Sequence, residues 1–383
     1  MARRTRKTLG SSWFNAGLNA MTRTAMRAGT RAIKQALRTP AVARKRAPAK
    51  RAIAQSPVAK GAQRSIAKTA SSKRGGATRS TAARAGAARK TARSRDWSSG
   101  VAIAAGGARR YRLYAPPGAT RTERLPLLVM LHGCGQDADA LAASSRMNRI
   151  AARERFFVLY PEQDRLSNGH GCWNWYDTRS GRAQLDAGIV DAAIDQVCLW
   201  HPVDAKRIAL AGLSAGASLA ALLATLHPER FCAVAMHSGI APGIAHSSAT
   251  ALGAMRGRRA ALPLPLAAAT ALPPLLAIQG SSDRIVAPSN GAAAVELWAA
   301  RAGARAAKPR RVQRGSRHEA TITNYRKRGT LVATLCEIAG LGHAWSGGAA
   351  GHPYSDPQGP DASRMIWSFV ARAFASASAP ATA

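Results

Sequence analysis

The apolar strand pattern Arg207–Ala211 runs directly into Gly212-Leu213-Ser214-Ala215-Gly216, and a small-residue helical pattern, Ala215–Leu226, follows at once. That order leaves the chain few options. A strand that becomes a helix within two residues must turn sharply, and small neighbours at 212 and 216 let the backbone pass at close range. The turn holds Ser214 in a strained conformation, lifts its hydroxyl above the sheet and sets it at a helix N-terminus, where developing negative charge is favoured.

The surrounding pattern extends the same architecture. Strands are expected at Tyr111–Ala115, Leu125–Leu131, Phe156–Tyr160, Ala233–Met236, Leu275–Ile278 and Leu331–Ile338. Helices are expected at Ala138–Arg153, Gln184–Trp200, Ser289–Arg301 and Ser363–Phe374. Apolar strands alternating with amphipathic helices predict an α/β fold, a mostly parallel sheet covered on both faces. Residues 241–272 are rich in Ala, Leu and Pro, lack a period, and read as an insertion or cap.

Charge divides the chain. Of 56 Lys and Arg, 25 fall in residues 1–95, which contain no Asp or Glu; the remainder balances 31 basic against 19 acidic residues. Residues 40–95 have no aromatic side chain and too little apolar bulk to offset the entropy of ordering, and are expected to be a disordered basic linker. Residues 1–39 differ: Trp13, Phe14, Leu18, Met21, Met26, Ile33 and Leu37 recur at roughly helical intervals among basic residues. Such a stripe suits a membrane interface or granule surface, and equally a loosely helical tail. The linker reads either as a contact for nucleic acid or an anionic surface, or as a solvated spacer. The remaining segments are 96–376, the globular domain, and a disordered end at 377–383. No run of about 18 apolar residues offers a transmembrane span. No secretion signal is clear, because Ser, Asn and Arg interrupt the segment after Arg3, Arg4, Arg6 and Lys7; this favours a cytoplasmic, granule or membrane-surface location.

A serine hydroxyl needs a base to become a nucleophile, and the base needs an orienting acid. Asp283, in Gly280-Ser281-Ser282-Asp283, directly follows an expected strand. His343 lies in Gly340-Leu341-Gly342-His343-Ala344-Trp345, whose glycines let a loop fold back. The order Ser214, Asp283, His343 suits these roles. Asp177, Asp186, Asp191, Asp195 and Asp204 precede the serine and fit the acid role less well. Two amides are candidates for binding an oxyanion: that of Ala215, after the serine, and that of Cys134, in His132-Gly133-Cys134-Gly135 after a buried strand.

The segments LHGCGQDADAL, GCWNWYD, RIALAGLSAGASLA, QGSSD and GLGHAWSGG resemble the poly(3-hydroxybutyrate) depolymerase family of serine esterases, short-chain-length type, related to feruloyl and acetylxylan esterases. The likeness spans about residues 105–375. It implies an α/β-hydrolase fold and hydrolysis of short-chain carboxylic esters or hydroxybutyrate polyester through an acyl-serine. Ser214, Asp283 and His343 would be catalytic and Cys134 an oxyanion donor. Trp173, Trp175 and Trp345 would line the cleft, or else serve as core or rim packing. The resemblance also suggests an extracellular location. A feruloyl- or acetyl-type esterase without polymer activity is the alternative, as is a nucleic-acid- or granule-binding protein acting through its basic tail. Neither cofactor nor metal is expected. Five cysteines without C-x-x-C spacing imply no zinc site. Cys134 reads as a small packed residue, or as the partner of Cys172 in a disulfide if the chain is exported.

Overall fold

The computed structural model describes residues 96–258 and 270–378. The expected segments 1–39 and 40–95 lie outside the described residues, as does most of the 377–383 end.

The core is an eleven-stranded sheet. Its strands are β1 (Trp97–Ala104), β2 (Gly107–Tyr114), β3 (Leu125–Leu131), β4 (Phe157–Pro161), β5 (Val203–Leu213), β6 (Ala233–His237) and β7 (Leu275–Gly280). The far edge adds β8 (Arg305–Ala306), β9 (Arg310–Val312), β10 (Ala320–Lys327) and β11 (Thr330–Ile338). The spatial order is β1-β2-β4-β3-β5-β6-β7-β11-β10-β8, with β9 also on β10. The six central strands, β4 through β11, pair in parallel, while hairpins at either edge are antiparallel. All seven residues of β3 are buried. Leu127, Val129 and Leu131 face one hydrophobic cluster, and Leu128 and Met130 face the other. Burial on both faces explains why this strand reads as a continuous apolar run.

Helices cover both faces. Residues of α3 (Arg182–Trp200), α4 (Ala215–Leu226) and α6 (Ser289–Ala302) pack in the first cluster. Those of α1 (Ala138–Ser145), α2 (Met147–Glu154) and α7 (Ala362–Ser378) pack in the second. The short α5 (Ser248–Met255), within the expected insertion, buries Ala251 and Ala254 against the first cluster. The helix α7 extends two residues into the segment expected to be a disordered end.

The expected helix Ala138–Arg153 is broken into α1 and α2. Arg146 adopts φ +57°, and its guanidinium donates to the Gly347 and Gly348 carbonyls at 2.6 and 3.1 Å. The carbonyls freed at the break are satisfied from distant segments: Ser144 accepts from Ala349 N, and Ser145 from the Ser363 hydroxyl. Tertiary partners thus replace the helical hydrogen bonds that local periodicity predicts. A strand at Ala320–Lys327 is absent from the sequence expectation because its side chains are mostly polar and half-exposed, without the apolar run that marks the central strands.

Among the described residues no helix is long and apolar enough to cross a membrane.

Candidate active site

Strand β5 delivers Ser214 at the C-terminal edge of the sheet, where parallel α/β sheets open a crevice. Ser214 sits at φ +55°, ψ −119° as the residue preceding α4. The glycines around it are required. A Cβ on Gly212 would lie 2.5 Å from the Gly216 carbonyl carbon, and a Cβ on Gly216 only 2.2 Å from the Leu131 carbonyl oxygen. The elbow is therefore pressed against the end of β3, which places the His132–Gly135 turn beside the serine. The Ser214 amide donates to the His237 carbonyl at 2.8 Å, and the Ser218 hydroxyl donates to the Ser214 carbonyl.

Asp283 follows β7, and His343 follows β11. Sixty residues apart in sequence, their side chains meet, with His343 Nδ1 2.8 Å from Asp283 Oδ2. Both are almost wholly buried. Asp283 Oδ1 accepts from the Ile285 and Val286 amides at 2.9 Å each, and Oδ2 accepts from Gln279 Nε2 at 3.2 Å. Burial opposes ionisation of this carboxyl, but the His343 ring and the two amides prevail and hold it below the ordinary carboxylate range.

His237 joins the two halves of the site. Through its backbone carbonyl it holds the Ser214 turn, and its Nε2 accepts from the Ser346 amide at 3.1 Å, tying down the loop that carries His343. The ring is fully buried and stacks on Trp345. Burial, with the nearby His343 adding to it, pushes its pKa down to about 3, so it stays neutral and accepts. No hydrogen bond joins the Ser214 hydroxyl to His343. Such contacts are often long in unliganded sites and tighten when substrate binds.

Cys134 and Cys172 form a disulfide, so the reading of Cys134 as a packed free thiol is corrected. The bond ties the turn after β3 to the loop that precedes α3. Beneath it, His132 Nε2 accepts from the Gln163 amide at 3.0 Å. The buried Asp186 accepts from Gln163, from the side chain and amide of Asn174, and from Arg109. Asp186 is thus a structural anchor of the loop rather than an acid for the serine.

Ser214, Ala215 and Cys134 border a cleft of about 210 Å³. Trp175 lines it, with Tyr176, Ile240, Met255 and Val286. The other two tryptophans do not. Trp173 and Trp345 are fully buried, and their indole N–H groups donate to the His132 carbonyl and the Ser363 hydroxyl. Of the two readings open for Trp173 and Trp345, the structure shows core packing rather than cleft lining: a fully buried indole has no face left for a ligand.

His237 and Gln279 have no signature in the sequence. His237 only follows a strand, and its position between two loops depends on β5, β6 and β7 being neighbours in the sheet.

Known proteins resemble this chain in sequence and in fold. Among curated proteins, the chain is 31% identical over 189 residues to poly(3-hydroxyalkanoate) depolymerase C of Paucimonas lemoignei, covering 45% of this chain and 44% of that protein. It is 32% identical over 118 residues to feruloyl esterase B of Neurospora crassa, covering 30% of this chain and 39% of that protein. The chain thus spans less than half the length of these relatives. Among solved structures, an acetyl xylan esterase from Aspergillus awamori superposes with a TM-score of 0.54 at 18% identity, over 64% of this chain and 94% of that one, a likeness of fold. The arrangement is the α/β-hydrolase fold. Residues 109–317, more than half of the chain, match the family model described as esterase PHB depolymerase, and the chain belongs to that family.

Proposed function

We propose that the protein is a carboxylic ester hydrolase acting through an acyl-serine, with Ser214 as nucleophile, His343 as base and Asp283 as orienting acid. The reading is carried by the pairing of His343 Nδ1 with the buried Asp283 carboxylate beside a strained Ser214 turn. Ionised Asp283 accepts a hydrogen bond from Nδ1–H, which keeps the proton on Nδ1 and leaves Nε2 free to take another. His343 removes the hydroxyl proton as Ser214 Oγ attacks the ester carbonyl, and the amides of Ala215 and Cys134 stabilise the resulting oxyanion. The C–O bond to the alcohol breaks as His343 returns the proton to the leaving oxygen. Water then attacks the acyl-serine, giving up a proton to His343, and the acid and free Ser214 are restored.

The family and the relatives' names support short-chain esters, with oligo- or poly(3-hydroxybutyrate) as the favoured substrate. The relative named feruloyl esterase supports a second reading, a small-ester hydrolase without polymer activity. Hydrolysis rates on hydroxybutyrate oligomers, feruloyl esters and acetyl esters separate the two. Ser214→Ala is expected to abolish p-nitrophenyl butyrate hydrolysis while circular dichroism stays unchanged; turnover near the wild-type rate would reject the assignment. The acid-free, 25-cation segment 1–95 supports attachment to an anionic surface, granule or nucleic acid. Salt-dependent DNA binding by the full chain, lost on deleting 1–95, is the expected result for nucleic acid.

A further inference from the structure

We propose that the cleft beside Ser214 takes esters bearing a free carboxylate, and that Arg182 binds that carboxylate. The inference rests on the ester-hydrolase reading and narrows it. The preferred substrate is an acid-terminated ester, such as a short linear hydroxyacid oligomer with an uncapped end, over a neutral ester of the same length.

The cleft has a mixed lining: Trp175, Ile240, Met255 and Val286 are apolar, whereas Asn168, His170, Asp177 and Arg182 are polar. Arg182 is the first residue of α3, whose first turn holds no acidic residue. Other arginines near the core are engaged: Arg109 with Asp186, and Arg230 with Asp191 and Asp195. Among the described residues Arg182 makes no ion pair, although Asp177 borders the same cleft.

An unpaired guanidinium on a binding wall discriminates between ligands. A neutral acyl chain laid over it strips water from five N–H donors and supplies little in return. A carboxylate accepts two parallel hydrogen bonds from the same fork. The like-charged Asp177 opposes any anion held loosely in this cleft, so the attraction depends on direct pairing with Arg182. His170 adds a second observation: its Nε2 is buried and unpartnered, and it too lines the cleft. In the tautomer with the proton on Nε2, it would donate to an incoming oxygen.

The test compares linear 3-hydroxybutyrate dimers and trimers as free acids with their methyl esters at the carboxyl end, using the full chain and p-nitrophenyl butyrate as a neutral control. Arg182 is exposed, and wild-type kcat/KM is expected to favour the free acids by about two- to fivefold, the worth of one solvent-exposed charge pair. The preference should shrink as salt is raised. Arg182→Gln should abolish it through a higher KM for the acids, and Arg182→Lys should restore part of it. Equal rates on acid and methyl ester, with the control turned over, would overturn the inference and leave the esterase reading intact. So would an acid preference that survives Arg182→Gln. Failure to hydrolyse any substrate, control included, would instead reject the esterase reading.

Discussion

Replacing Cys134 and Cys172 together by Ser removes the covalent tie between the turn after β3 and the loop before α3. The two cysteines are 38 residues apart. In the chain-entropy account, closing a loop of that size takes about 13 cal/mol/K from the unfolded ensemble, or about 4 kcal/mol at 25 °C. For a domain of this size each kcal/mol moves Tm by roughly 2–4 °C, so the double variant should melt roughly 8–15 °C below the wild type. Reducing the wild type should reproduce most of that shift. Activity should fall as well, by up to about 100-fold, because the Cys134 amide borders the cleft beside Ser214 and a single oxyanion donor is worth that much. The assays are scanning calorimetry with and without reductant, and thiol titration of the unfolded chain. Three thiols should react before reduction, those of Cys198, Cys232 and Cys336, and five after. Five reactive thiols before reduction, or a Tm indifferent to reductant, would refute the tethering argument.

Other outcomes follow from the same geometry. Asp283→Asn should lower kcat by about 10⁴, since the amide can hold the imidazole in the wrong tautomer, and should alter KM much less; steady-state kinetics on p-nitrophenyl butyrate decides. Gly216→Ala drives a Cβ to within 2.2 Å of the Leu131 carbonyl, which is rigid strand backbone, so a loss of about 1–3 kcal/mol in unfolding free energy, read from denaturant titration, is expected together with loss of activity. For pH, the native His237 takes up a proton only near pH 3, whereas the unfolded ring does so near 6.5. The unfolded state therefore binds more protons as pH falls, and stability should drop by about 1.4 kcal/mol per unit between those values. Between pH 7 and 5 that is about 2 kcal/mol, and His237→Gln should lack this increment in urea unfolding. The Asp283 contribution has its own window: present above the usual carboxylate range, it is lost as pH falls through its lowered native pKa.

Much of the fold was legible in local pattern. Leu125–Leu131 and Ala215–Leu226 have the same bounds in the sequence reading and in the structure, because uninterrupted apolar or small-residue runs with Gly and Pro at their flanks leave one period to choose. The serine elbow was legible for the same reason: glycine at 212 and 216 is a local steric requirement, and the structure shows the carbonyls that impose it. The break at Arg146 was not legible, because it depends on Gly347 far along the chain, and the pairing of Cys134 with Cys172 stood only as one of two readings until the fold brought the two together.

By itself the sequence determined the parallel α/β layering, the position of the serine turn, and the chain order in which an acid and a histidine could follow it. Only the tertiary structure decided which of the polar residues meet. It set His343 on Asp283, placed His237 between the Ser214 turn and the loop carrying His343, sent Trp173 and Trp345 into the core, and left Trp175 and Arg182 on the cleft. The reason is one of range. Periodicity and glycine content express steric preferences between near neighbours. Contacts across a cleft depend on strand order and loop closure, which the sum of many weak long-range burials fixes and no short segment encodes.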